Sequence, residues 1–203
     1  RESGIGHSLA TGLHTPARGF ADDLALTAKT PEEMNTLLHI VSKFCAWSGM
    51  RVNLAKSVIT AFDFKTNRDL PVDGIHYEND HLVAIRSTEA FTYLGVKYSI
   101  RGSAKSEKQH VMTQTTALIP IAKRHSYLLA QMVSSMQMVA TSRFRYSAPL
   151  VPWTDAELDK LYKVWLRVHK AAWTLPISFP ASPLLLPPAP GGGPFVDPKG
   201  VFV

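Results

Sequence analysis

Apolar residues recur at helical spacing from Met34 through Leu37, Leu38, Val41, Phe44 and Cys45. This period predicts an amphipathic helix whose apolar stripe is core. Its start is marked by Thr30-Pro31-Glu32-Glu33: a capping hydroxyl, a proline at the first helical position and a Glu that completes a capping box. Gly49 marks the end, as a left-handed terminal residue. The helix is expected to lie across the back of a sheet. Before it, Arg18–Phe20 and Leu24–Thr27 read as two arms of a hairpin around Asp22-Asp23. Residues 1–15, with Gly4, Gly6 and Gly12, read as a loop with a short strand. After it, Ser57–Phe62 is a β-branched-rich strand, and residues 63–80 are turn-rich, with Asn67, Pro71, Gly74 and Asn79. His81–Arg86 and Phe91–Tyr98 are further predicted strands.

From Ser103 onward the pattern becomes helical. One helix is expected to run to about His125, with Pro120 as a kink or break. A second spans Tyr127–Arg143. Thr154-Asp155-Ala156-Glu157 is another capping box, opening a helix to about Trp173. Leu158, Leu161, Tyr162, Trp165, Val168 and His169 mark its buried face, and Lys160, Lys163, Arg167 and Lys170 the other. Eight of the 14 prolines fall in residues 176–203. That stretch is expected to be irregular, since proline is excluded from helix interiors and central strands. The fold class is α+β: antiparallel strands with a covering helix, followed by an all-α part of about three helices.

Composition narrows the function classes. At 203 residues and 45% hydrophobic content, with a mean hydropathy of −0.02, the chain reads as globular. No apolar run reaches the roughly 18 residues of a membrane span. The single Cys45 excludes an intrachain disulfide and a Cys-based zinc cluster. Set among Phe44 and Trp47, it reads as a buried structural thiol in a reducing compartment, nucleus or cytoplasm. The histidines are scattered without a His-x-x-x-His pair, so no zinc ligand set is expected. No nucleophile triad has a local signature, and the run ending Gly191-Gly192-Gly193 lacks the Lys and Ser/Thr of a phosphate loop. The formal charge of +6 is uneven. Lys97–Lys170 holds 12 basic and 4 acidic residues, and the remainder 10 and 12. A basic helical half suits a polyanion, or it is an ordinary solvated helix surface.

The candidate chemistry lies in Gly19-Phe20-Ala21-Asp22-Asp23-Leu24-Ala25-Leu26. Neighbouring side chains on a flat strand point to opposite faces, whereas a tight hairpin can hold both acids at its tip. Two carboxylates held together repel unless a cation or water lies between them. Hard divalent ions take one or two carboxylates plus substrate phosphates, so the pair points to two-metal phosphoryl transfer. The alternative is an acidic turn that serves the fold alone.

Three boxes then follow one another. Phe20-Ala21-Asp22-Asp23 matches an aromatic-Ala-Asp-Asp box. Gly49 through Ser57 matches Gly-x-x-x-Asn-x-x-Lys-Ser/Thr, and Phe91-Thr92-Tyr93-Leu94-Gly95 matches Phe-x-Tyr-Leu-Gly. In this order, over about residues 4–175, the chain resembles the palm and thumb of non-LTR retrotransposon reverse transcriptases. The resemblance implies RNA-directed DNA synthesis with two Mg²⁺ ions, an RNA template, a DNA primer and deoxynucleoside triphosphates. It implies a partial palm over 1–100, a helical thumb over 101–175 and an irregular tail over 176–203.

Residue by residue, it makes Asp22 the main metal ligand and Asp23 its partner, with Phe20 and Ala21 beside the nucleotide. Lys56 falls near the incoming triphosphate, or is simply a turn lysine. Phe91, Tyr93, Leu94 and Gly95 grip the primer end. Alternation would put Phe91, Tyr93 and Gly95 on one face. Lys123, Arg124, Arg143 and Arg145 contact duplex backbone. Asn53 is expected to organise its turn by bonding its own backbone, and Arg51 to face phosphate or solvent.

The family places a further metal-binding aspartate on an earlier strand, and residues 1–18 contain no Asp. The chain, beginning at Arg1, is therefore expected to be a fragment unable to polymerise alone. The competing reading is a non-catalytic nucleic-acid-binding or structural remnant.

Overall fold

Thr30 is extended (φ −133°, ψ 159°) and caps helix α1, Pro31–Ser48, in the computed structural model of the chain. Its Oγ1 accepts from Glu33 N–H at 3.3 Å. The Glu33 carboxylate reaches back to Lys29 N–H at 2.9 Å, one residue before the cap, so the box is offset from the expected reciprocal form. Gly49 (φ 74°) ends the helix in the left-handed region. The structure describes residues 5–8, 14–124, 138–139 and 141–185. The chain divides into two units, Arg1–Ser103 and Ala104–Val203.

In the first unit, α1 buries Leu38 against Ile59, Ile75 and Tyr77, with Met34, Val41, Val52, Leu54 and Leu26 packed around them. The Asn35 amide fastens the helix to the chain beside it: its Nδ2 donates to Gly74 O at 2.8 Å and its Oδ1 accepts from His76 N–H at 3.2 Å. The apolar stripe is core only in part. Phe44 is 52% exposed and is not among the residues packed around that core. Cys45 is half-buried rather than buried. Burial, then the nearby Cys45 thiol, raises the Tyr77 phenol above its ordinary pKa.

The strands form two-stranded sheets rather than one continuous sheet under the helix. β1 (His7–Ser8) pairs with β2 (His14–Thr15), and β3 (Ala17–Phe20) with β4 (Asp23–Leu26). The expected strand Ser57–Phe62 is divided into β5 (Val58–Ile59) and β6 (Phe62–Asp63). β6 turns back into β7 (Arg68–Asp69). The Asp63 carboxylate drives that turn by accepting from Lys65 N–H at 2.9 Å and Thr66 Oγ1 at 2.7 Å. β8 (His76–Tyr77) pairs with β9 (Asp80–His81). The expected strand His81–Arg86 is thus split between β9 and β10 (Val83–Ala84). β10 runs parallel to β5, a departure from the all-antiparallel expectation. β11 (Phe91–Tyr93) pairs with β12 (Val96–Tyr98).

In the second unit, the first helix breaks three residues earlier than Pro120. α2 is Lys105–Thr116 and α3 is Leu118–Arg124. Pro120 thereby sits in the first turn of α3, where its missing N–H leaves no bond unmade. Most of the expected helix Tyr127–Arg143 lies outside the described residues. Residues 141–147 (α4) are helical past Arg143, and a 3₁₀ turn, Ala148–Leu150, follows. α5, Asp155–Ala172, carries the complete capping box of Thr154 and Glu157. Phe144, fully buried, sets its ring edge-on to Trp153 (5.4 Å) and Trp165 (6.0 Å). Val111, Leu158 and Leu161 complete this core. Tyr162 is half-buried rather than buried. The proline-rich stretch is not wholly irregular: Ser182–Leu185 is a 3₁₀ turn with Leu184 buried, since a proline fits the first turn of a short helix. Residues 186–203 lie outside the described residues.

One carboxylate oxygen joins α2 to α5. Glu157 Oε2 accepts from Lys108 Nζ at 2.6 Å, from Thr154 N–H at 2.9 Å and from Thr154 Oγ1 at 3.0 Å. Lys108 above all, then the Thr154 amide, lowers the Glu157 pKa to about 2. A carboxylate depressed on folding stabilises above its unfolded pKa, near 4.3, and that stabilisation disappears as pH falls toward the folded value. Thermal unfolding is expected to show an acid-dependent loss between about pH 5 and pH 2. In Glu157→Gln this component is absent, and at neutral pH the variant is less stable by about 1 kcal/mol, a value reduced by solvent screening. Equal pH dependence in both proteins would contradict the assignment.

Candidate active site

The β3–β4 register pairs Ala17 with Leu26, Arg18 with Ala25, Gly19 with Leu24 and Phe20 with Asp23. That register leaves Ala21 and Asp22 as a two-residue turn. Ala21 has φ 52°, the left-handed setting at the first central position of a type II′ turn, which normally takes glycine. Holding an alanine there costs of order 1 kcal/mol. The outcome is that Asp22 occupies the second turn position and Asp23 opens β4 opposite Phe20.

All four residues are exposed, Phe20 to 69%. Among the described residues, neither carboxylate has a hydrogen bond or an ion pair. At the base, Thr27 N–H donates to Pro16 O at 2.9 Å. Gly6 (φ 103°) backs Pro16 so closely that an added Cβ would stand 2.6 Å from its Cα.

A hydrogen bond joins the second hairpin to the first. Tyr93 Oη donates to Arg18 O at 3.4 Å, across 75 residues of sequence. Leu94 (φ 50°) and Gly95 (φ 76°) are both left-handed and form the I′-type turn between β11 and β12. This corrects the alternation expected of the box. Gly95 is a turn residue and does not share the Phe91 and Tyr93 face; Val96 and Tyr98, paired with Tyr93 and Phe91, do. Val96 is buried, and the Phe91 and Tyr98 rings are 6.4 Å apart.

Lys56 is exposed in the turn over residues 53–57. The Asn53 main-chain carbonyl, not its side chain, organises that turn, accepting from Lys56 N–H at 3.1 Å, Ser57 N–H at 3.0 Å and Ser57 Oγ at 2.9 Å. Arg51 is exposed. Among the described residues, Lys56 makes no ion pair with either acid. In the second unit, Lys123 on α3 and Arg143 and Arg145 on α4 are exposed, and Arg124 ends α3.

Two associations were not readable from spacing. His76 and His81 face each other across β8 and β9 with ring centroids 5.1 Å apart. A search for His-x-x-x-His misses such a pair because hairpin register, not helical spacing, joins them. Even so, the described residues contain no group of three or more His, Cys, Asp or Glu that could hold a metal. The second association joins Asp69, Ser87 and Arg101, whose separations in sequence carry no local signal.

The match to known families falls on this hairpin region. Residues 7–98 match the family model for reverse transcriptase (RNA-dependent DNA polymerase). No curated protein matches the chain. The reverse transcriptase match takes in the β3–β4 tip, Lys56 and the β11–β12 hairpin. It ends before α2, so Lys123, Arg124, Arg143 and Arg145 lie outside it.

Relieving the strain at Ala21 tests the turn assignment. Ala21→Gly is expected to slow hydrogen exchange at the Ala25 amide, which faces Arg18 across the hairpin, by an amount corresponding to about 1 kcal/mol of hairpin stability, and Ala21→Val to speed it. Identical exchange in all three proteins would rule out the left-handed turn.

Proposed function

We propose that this chain is the palm-and-thumb part of a non-LTR-type, RNA-directed DNA polymerase. The observation that carries the reading is the reverse transcriptase match over residues 7–98, with paired, partnerless carboxylates on a hairpin tip inside it. The donor set fits a hard divalent ion. Two exposed carboxylates without protein partners can supply one or two oxygens, and substrate phosphates and water the rest. Bound Mg²⁺ would lower the pKa of an attacking primer 3′-hydroxyl and neutralise the leaving pyrophosphate.

The chain's own residues take the surrounding tasks. Asp22 is the principal ligand and Asp23 its partner. Phe20 and Ala21 lie beside the nucleotide, and Lys56 offsets triphosphate charge. Phe91, Tyr93, Leu94 and Gly95 hold the primer end. Lys123, Arg124, Arg143 and Arg145 bind duplex backbone without reading sequence. A non-catalytic nucleic-acid-binding role is the second reading. It is favoured by the lack of a third metal-binding carboxylate beside the pair among the described residues.

Both readings require binding to a primed template, and they part at synthesis. With an RNA template, a DNA primer, Mg²⁺ and deoxynucleotides, the chain alone is expected to bind the hybrid and leave the primer unextended. The logarithm of affinity should fall linearly with the logarithm of salt, and Arg143→Ala or Arg145→Ala should each reduce the slope by about 1. Salt-independent binding would contradict the nucleic-acid reading. Primer extension abolished by Asp22→Ala would contradict the requirement for a further aspartate.

A further inference from the structure

Outside the acidic tip, the first unit carries a second feature suited to nucleic acid. Phe64 lies just past β6 and is 74% exposed. It meets Phe62 edge to face, with ring centroids 5.0 Å apart. The Arg101 guanidinium covers the Phe62 ring at 4.8 Å. Arg101 is held there by donating from Nε to Ser87 Oγ at 2.9 Å and from Nη2 to Asn67 O at 3.4 Å. Those bonds use two of the five N–H groups of a guanidinium.

The charges around this stack are unequal in availability. Lys65, Arg68, Arg86 and Arg101 are exposed. The nearby acids are already engaged. Asp63 accepts from Lys65 N–H and Thr66 Oγ1, and Asp69 accepts from Ser87 N–H at 3.2 Å. Hydrogen bonding from Ser87, and after it the charges of Arg101 and Arg86, hold the Asp69 carboxyl below its ordinary pKa. The surface therefore offers four exposed cations beside an open aromatic face, and its ionised carboxylates, Asp63 and Asp69, are hydrogen-bonded to the protein.

We propose that the Phe62–Phe64–Arg101 stack is a binding platform for single-stranded RNA, in which an unpaired base stacks on Phe64 and the adjoining phosphates meet Arg101 and Lys65. An acidic peptide would use the cations and leave the ring uncovered. A paired duplex would offer phosphates and no free base face. Only an unpaired nucleotide uses both halves of the surface. This rests on the nucleic-acid reading above for the identity of the polymer, and on no metal or catalytic residue.

The test is fluorescence anisotropy with the full chain, a labelled oligouridylate and a fully paired RNA duplex of equal length. Phe64→Ala is expected to weaken oligouridylate binding about tenfold and leave duplex binding unchanged. Phe64→Trp is expected to retain the affinity. Because the ring is exposed, truncation removes little packing, and circular dichroism checks that the fold is kept. The readout is oligouridylate binding without Mg²⁺ or deoxynucleotides, so a failure of the polymerase reading stays distinct from a failure here. The proposal is overturned if Phe64→Ala has no effect, if it weakens duplex equally, or if the parent chain does not bind oligouridylate. It is also overturned if sedimentation shows that Phe64 instead supports a dimer.

Discussion

The repulsion between two adjacent carboxylates is the constraint from which the functional account follows. The pairing of Phe20 with Asp23 leaves room for two turn residues only, so Asp22 and Asp23 sit together at the bend. A one-residue slip would move the arm side chains to opposite faces and carry the acids off the tip. Among the described residues neither carboxylate is paired with a protein cation, so water offsets their charge, and the proposed divalent ion would do so more strongly. The hairpin keeps this arrangement at the expense of an alanine in a glycine conformation.

The hairpin is too small to be stable alone, and its supports are few. Pro16 and Thr27 close its base. Leu26 enters the core beneath α1. Tyr93 reaches it from β11. Each support comes from a segment inside the reverse transcriptase match, so one contiguous stretch supplies both the acids and the scaffold that presents them. The second unit depends on a different device: one Glu157 oxygen serves a helix cap and the Lys108 ammonium at once, above a core centred on Phe144.

Much of this was legible in the chain. Thr30, Gly49 and the Thr154–Glu157 pair announce helix ends because capping is a local matter of a few atoms. The Asp-Asp hairpin was legible because two apolar arms flank a two-residue turn. What escaped depends on non-local register. The Gly95 turn broke an alternation that looked continuous. The β-branched run Ser57–Phe62 divides because its two ends take different partners, β5 pairing with β10 and β6 with β7. The meetings of His76 with His81, and of Arg101 with Phe62, arise only once hairpins have formed. Phe44 shows the same limit for helices, since periodicity identifies a stripe and not how far its partner surface extends.

The central claim is that Asp22 and Asp23 share a divalent cation at the bend. Paramagnetic broadening by Mn²⁺, read on the backbone amides of the full chain, tests it most directly. The account predicts that substoichiometric Mn²⁺ broadens Ala21 through Leu24 first, that excess Mg²⁺ restores those signals, and that Asp22→Asn with Asp23→Asn removes the effect. Broadening centred on another segment, or unchanged in the double variant, would contradict it.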